Sequence, residues 1–239
     1  MQKSKINVIT VYINEIMFYN FFILNSNLMR YNIISIDNRQ INNGLPNLYN
    51  KVIKDKINDN AWLFFVHEDF EIKSSLECIH DLDENAIYGT FGVSMEQSGY
   101  PIAFGRHTCS NKDGTNAVEA GMPIASIQSV QTIDCQSILV HTSLLRRHNS
   151  LRFDENLSFD LYAEDLCLNA SCMLNIPIYV FPLDFQHYSH GKITDRYHKG
   201  LSYLKTKYPN HALPGTCSFV GGNSAELEKV FKYNIQAAK

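Results

Sequence analysis

Three cation-binding side chains follow one another at His67-Glu68-Asp69, directly after the apolar run Ala61-Trp62-Leu63-Phe64-Phe65-Val66. Such a run reads as an interior strand of a parallel sheet, and open α/β sheets bind ligands in the crevice beyond the carboxyl ends of their strands. The carboxylates then face a ligand and not the core. A strand tip also carries a solvated acid for no chemical reason, so the other acids and histidines must decide between the two readings.

Those others recur along the chain. Asp37 ends the β-rich run Tyr31-Asn32-Ile33-Ile34-Ser35-Ile36-Asp37-Asn38. Asp134 is the single acid in the alternating run Val130 to Val140, which reads as one strand. Phe159 to Ala170 has helical period, with Asp160 as its expected N-cap. Leu161, Asp165, Leu168 and Cys172 share one face of that helix, so Asp165 interrupts an apolar stripe. The plainer account is that Glu164 and Asp165 complement the helix dipole. His187 and His190 follow the short strand Ile176 to Pro182, and either can complete an oxygen-and-nitrogen cation site begun by Asp69. The Gly- and Asn-rich stretch Gly105 to Gly121 reads as a long loop, in which Arg106 and His107 receive no role.

Elements alternating β, α, β, α, β over the first seventy residues must hold these groups, through the runs Ile6 to Tyr12, Tyr31 to Asn38 and Ala61 to Phe70 and a helix near Leu48 to Ile57. Parallel strands joined by right-handed crossovers place Asp37 and His67-Glu68-Asp69 at one edge of the sheet. No Gly-x-Gly-x-x-Gly follows the first strand and no Gly-x-x-x-x-Gly-Lys loop is present, so a bound nucleotide needs a cation at its diphosphate. The 239 residues, 45% apolar, suit one α/β domain, residues 1–239, in which 195–239 is expected to be a C-terminal helical extension. A net charge of -3 without a long basic run gives no footprint for nucleic acid. Six cysteines without a Cys-x-x-Cys pair, and no recognisable leader, are expected to be reduced thiols in cytoplasm. No stretch is apolar for long enough to span a bilayer, the patch Ile16 to Leu24 being broken by Tyr19 and Asn20.

Taken in order, Ile36-Asp37-Asn38, Phe65-Val66-His67-Glu68-Asp69, Thr132-Ile133-Asp134, Phe153-Asp154-Glu155, Tyr162-Ala163-Glu164-Asp165-Leu166-Cys167-Leu168 and His187-Tyr188-Ser189 resemble the GT-A fold glycosyltransferases. The group meant is the bacterial glycosyltransferase-like one related to inverting family two, and the resemblance spans roughly residues 6 to 195. It implies a single, mostly parallel central sheet flanked by helices. It implies transfer of a sugar from a nucleotide-diphosphate-sugar donor to the hydroxyl of a glycan or lipid-linked glycan, with inversion and with the help of a divalent metal, Mn or Mg. Asp37 is then expected at the nucleobase, Glu68, Asp69 and Asp134 at the donor, and Asp69 with His187 and His190 at the metal. Asp165 takes the place of the catalytic base, with Glu164 beside it. The chain departs from the family's Asp-x-Asp element, since His67 stands where the first Asp is usual. An imidazole among hard oxygen ligands shifts the preference towards manganese. The implied setting is polysaccharide biosynthesis in the cytoplasm, peripheral to the inner face of the membrane.

Three other readings compete. A nucleotidyltransferase ranks low, because Val11-Tyr12-Ile13-Asn14-Glu15 lacks the glycines that wrap a triphosphate. A metal-dependent hydrolase would use His67, Asp69, His187 and His190. A nucleotide-sugar-binding module that has lost catalysis would bind without turnover.

Overall fold

A computed structural model describes residues 3–97, 99–109, 118–188 and 193–222. Its strands are β1 (Lys5–Tyr12), β2 (Asn32–Asp37), β3 (Ala61–His67), β4 (Phe70–Ile72), β5 (Ile87–Gly89), β6 (Phe91–Met95), β7 (Pro101–Gly105), β8 (His107–Cys109), β9 (Val118–Ala120), β10 (Gln128–Ser129), β11 (Thr132–Ile133), β12 (Ser137–His141), β13 (Ile178–Val180), β14 (Phe185–His187), β15 (Ala212–Pro214) and β16 (Phe219–Gly221). The helices are α1 (Glu15–Phe18), α2 (Leu45–Lys56), α3 (Thr142–Arg147), α4 (Tyr162–Leu168) and α5 (Asp195–Lys207).

Seven strands form the central sheet in the order β10-β13-β5-β12-β3-β1-β2. Strands β2, β1, β3, β5 and β13 run one way, and only β12 and β10 run against them. The sheet is therefore single and mostly parallel, as expected. Strands β1 and β3 are buried on both faces, while the edge strand β2 stays partly exposed. In β3, Trp62, Phe64 and Val66 enter one apolar layer with Ile6 and Val8 of β1, while Leu63 and Phe65 enter the other with Ile9 and Val11. In β3 all residues before His67 are apolar, so its polarity falls at the strand end, whereas β1 buries the polar Asn7 and Thr10 between its apolar residues. Tyr12 pairs with Asp37 and Val11 with His67, which puts the ends of β1, β2 and β3 at one edge. Ser137, opposite Val66, brings the start of the antiparallel β12 to that edge as well.

Three expectations change in detail. The run Val130 to Val140 divides into β11 and β12, with Asp134 in the turn between them, where its Oδ1 accepts the amide of Gln136 at 2.9 Å. An aspartate that can bond the backbone two residues on makes a turn where alternation alone suggests a continuous strand. The helix near Phe159 begins only at Tyr162. Asp160 does not cap it, because Arg196 takes its carboxylate at 2.5 Å, and Leu161 turns the chain in the left-handed region at φ 64. Finally, the stretch Gly105 to Gly121 is not all loop, since β8 and β9 pair within it. The tail from Asp195 shows α5 and then the hairpin β15–β16, and residues 223–239 lie outside the described residues.

A small sheet, β11-β6-β7, supports the Asp134 turn from behind. At its centre a Cβ on Gly92 would lie 2.5 Å from the carbonyl oxygen of Thr132 and 2.9 Å from Cγ1 of Val180. Backbone cannot yield as a side chain does, so Gly92→Ala is expected to cost about 1–3 kcal/mol. Thermal unfolding should show the midpoint falling by about 2–4 °C per kcal/mol, and an unchanged midpoint would contradict the packing described.

Candidate active site

His67 is the last residue of β3, and Asp69 immediately precedes β4. Strand β14 pairs antiparallel with β4, His187 opposite Phe70, and the amide of Tyr188 bonds the carbonyl of Asp69 at 3.0 Å. This short ladder carries His187 to Asp69 across more than a hundred residues of sequence. His67, Asp69 and His187 each present a ligand atom, and the three atoms lie within 4.8 Å of one another. His190, expected to share this role, lies outside the described residues.

The polar atoms here are peculiarly unsatisfied. Oδ1 of Asp69 and Nε2 of His187 stand 3.2 Å apart, close enough for attraction but out of line for a hydrogen bond. Asp69 Oδ1 and both ring nitrogens of His187 are buried without a hydrogen-bond partner. Burial would raise the Asp69 carboxyl, yet the imidazoles of His187 and His67 outweigh it and hold it at about 2. Burial also lowers the pKa of His67, which favours the neutral, ligating form of that ring. Buried groups are nearly always paired, so lone pairs left converging on one point mark a place for a cation. The donor set of two imidazoles and one carboxylate fits manganese or another divalent transition ion.

Around this cluster stand further groups. Tyr162 of α4 touches Nε2 of His67 with its hydroxyl at 2.8 Å. Phe159 stacks on the His67 ring at 5.6 Å, and the Arg196 guanidinium lies over Phe159 at 4.8 Å. The ring of His107 lies 5.2 Å from that of His187, and its Nδ1 is 2.5 Å from Oε1 of the buried Gln136. Of these, sequence reasoning gave no role to Tyr162, Phe159, Arg196 or His107, and it kept His67 out of the transferase metal set. A histidine two residues before an aspartate at a strand end was the available signal for His67. The others become visible only through the tertiary structure.

The remaining expected residues separate. Asp37 sits at the same sheet edge but is half exposed and grips Arg39, at 2.6 Å from Nη2, which holds its carboxyl down at about 2. Glu68 turns away from the cluster and accepts the amides of Ile13 at 2.8 Å and Asn14 at 2.7 Å, fixing the loop after β1. Glu164 is buried on the side of α4 that feels Asp134 and Asp160; burial first and Asp134 second raise its carboxyl to about 8, with Thr216 Oγ1 at 3.5 Å. Asp165 is also buried but points elsewhere, to Lys207 Nζ at 2.7 Å, which in turn reaches Asp154 at 2.6 Å. Lys207 is eleven residues beyond Arg196 on α5, a rise of roughly 16 Å along the helix from the crevice end.

No protein-family model and no curated protein sequence matches the chain. Solved structures do match. The crystal structure of GalNAc-T7 with UDP, GalNAc and Mn2+ aligns with 85% of this chain and 50% of its own, at 8% identity and a TM-score of 0.50. This is the GT-A fold. The chain thus spans about half the length of GalNAc-T7. A197 from STIV aligns over 92% of this chain and 95% of its own at 9% identity and a TM-score of 0.45. TarS from S. aureus aligns over 77% and 60% at 15% identity and 0.43. On the GT-A frame the ends of β1, β2 and β3 and the Asp134 turn form one continuous edge, and the His67, Asp69 and His187 cluster lies on it.

The different surroundings of the two neighbouring acids give a direct check on stability at pH 7. Glu164→Gln replaces a carboxyl that is mostly protonated there, and should change stability by less than about 1 kcal/mol. Asp165→Asn removes the charge facing Lys207 and should cost about 1–3 kcal/mol. Urea denaturation of both variants separates the cases, and equal losses would contradict the assignment of faces.

Proposed function

We propose that this chain is a glycosyltransferase, moving a sugar from a nucleotide-diphosphate-sugar to a hydroxyl of a glycan or lipid-linked glycan with inversion. The observation that carries the reading is the convergence of His67, the buried Oδ1 of Asp69 and the buried ring of His187, the last two without hydrogen bonds, at the carboxyl edge of a GT-A sheet. Those three residues would hold a divalent cation, which supplies positive charge against the departing diphosphate. The GalNAc-T7 structure was solved with UDP, GalNAc and Mn2+, so manganese and uridine diphosphate are the first ligands to try.

The chain's own residues divide the remaining work. Asp37, oriented by Arg39 at the end of β2, serves the nucleobase side, and Asp134 in its turn serves the donor sugar. Glu68 shapes the donor pocket through the loop after β1. Between the two acids on α4, Glu164 is the one we assign as base. It takes the acceptor's hydroxyl proton as that oxygen bonds to the anomeric carbon, while the bond to the diphosphate breaks and its electron pair leaves with the nucleotide. A base whose pKa lies close to the working pH combines availability with proton affinity, and burial gives Glu164 that property. Asp165, held by Lys207, fixes the pose of α4. We place residues 1–239 in a single transferase domain, 195–239 being its C-terminal extension. We place its action in the cytoplasm, on a glycan or membrane-borne acceptor; among the described residues no helix is long and apolar enough to cross a membrane.

Thermal unfolding with a panel of nucleoside diphosphates, each with and without Mn2+, tests the reading. A manganese-dependent rise with one nucleotide is expected, amounting to roughly 2.7 kcal/mol at about 100 times the dissociation constant. A rise with metal alone points to the hydrolase, and nucleotide binding without turnover points to an inactive module. Glu164→Gln should lower kcat by about 10²–10⁴-fold and leave that shift in place. The base works only when ionised, so kcat should climb as pH rises through about 8. A flat profile from pH 6 to 9 would remove Glu164 from the role.

A further inference from the structure

The hydroxyl of Tyr162 has one proton to give. It donates to the carbonyl oxygen of Cys135 at 3.0 Å, and the hydroxyl oxygen itself lies 2.8 Å from Nε2 of His67. With its proton committed, the hydroxyl can only accept from the imidazole. Nε2 of His67 then carries the hydrogen, and the lone pair of the neutral ring resides on Nδ1. Tyr162 is fully buried, with Tyr49 edge-on to its ring at 6.0 Å and Phe153 at 5.8 Å, so solvent does not compete for either bond. The opposite arrangement, Tyr162 donating to Nε2, would strip the Cys135 carbonyl of this donor and place a hydrogen on Nδ1.

We infer that Tyr162 is a positioning residue that locks His67 in the Nε2–H tautomer, so that Nδ1 is the atom His67 offers to a cation beside Asp69 and His187. The inference rests on the cation-binding reading given above. It also has a geometric consequence. Tyr162 lies two residues before Glu164 in the first turn of α4, and Cys135 follows Asp134 in the turn before β12. One hydroxyl therefore ties the cation cluster to the acid assigned as base and to the acid assigned to the donor sugar. Partners that orient a ligating imidazole through its other nitrogen commonly change metal affinity by about 10–100-fold.

The tautomer can be read directly in metal-free protein labelled with ¹⁵N, by long-range proton–nitrogen correlation of the His67 ring at pH 8. Wild-type protein should show Nε2–H, and Tyr162→Phe a mixture containing Nδ1–H. Isothermal titration with Mn2+ should give a Kd weakened by about 10–100-fold in Tyr162→Phe. Nδ1–H in the wild-type protein overturns the inference, as does an unchanged Mn2+ affinity in the variant. Should the variant fail to fold, the wild-type spectrum alone decides the tautomer. Absence of Mn2+ binding by the wild type, with Nε2–H intact, would sink the cation reading while leaving the Tyr162 lock standing, so the two failures are distinguishable.

Discussion

A single phenolic hydroxyl joins the parts of this crevice. Tyr162 meets the end of β3 through His67 and the β11–β12 turn through the Cys135 carbonyl, and it belongs to α4. These three segments come from distant stretches of chain, and nothing in β3 alone sets the angle of the imidazole at its tip. Because the hydroxyl lies where water does not reach, its two hydrogen bonds act at low local dielectric, where geometry is held more tightly than at a wet surface. Tyr49 and Phe153 pack edge-on against the ring that carries the hydroxyl, at 6.0 and 5.8 Å, and are themselves packed with Phe65 at 4.7 to 5.4 Å.

Two adjacent acids on α4 show how burial distributes roles. Burial first and the nearby acid Asp134 second raise the Glu164 carboxyl well above the usual carboxylate range, against the weak opposing hydrogen bond from Thr216. For Asp165 burial also prevails and raises the carboxyl, but Lys207, which shares itself with Asp154, offsets part of that rise. A carboxylate bound to a lysine is a poor proton acceptor, whereas one in an apolar wall beside another acid is a good one. One helical step of about 100° separates an environment suited to proton transfer from one suited to anchoring a helix.

Much of the fold was legible in the chain. The run of β3 carries no polar residue before His67, and β1 only the uncharged Asn7 and Thr10 within it, so burial between two layers follows, and the acids at the strand tips mark the crevice edge. The limits are as instructive. Asp134 broke its strand because the side chain bonds its own backbone, a local competition that alternation does not record. Asp160 lost its capping place to Arg196, thirty-six residues away. Glu68 is legible as an acid expected at the donor, but its partners, the amides of Ile13 and Asn14 in the loop after β1, are not, because successive side chains diverge where a strand passes into a turn. The choice between Glu164 and Asp165 depends on which long-range partner each meets. Helical period places Asp165 on the apolar face correctly, but does not show that Lys207 waits there.

The ladder between β4 and β14 has only three pairs of residues, and two-stranded ribbons of that size are barely stable by themselves. Here it is held shut by Phe70 stacking on Phe185 at 4.4 Å inside the core. Opening it would part His187 from Asp69 while leaving the central sheet untouched, so assembly of the cluster is a local folding event superimposed on a folded protein. A cation that binds only the closed ladder draws its observed affinity from two sources, the ligand bonds and the ladder's own closing equilibrium. Substitutions at Phe70 or Phe185, neither of which supplies a ligand atom, thereby become adjustments of metal affinity, and amide hydrogen exchange in β4 and β14 becomes a gauge of how fully the crevice is formed.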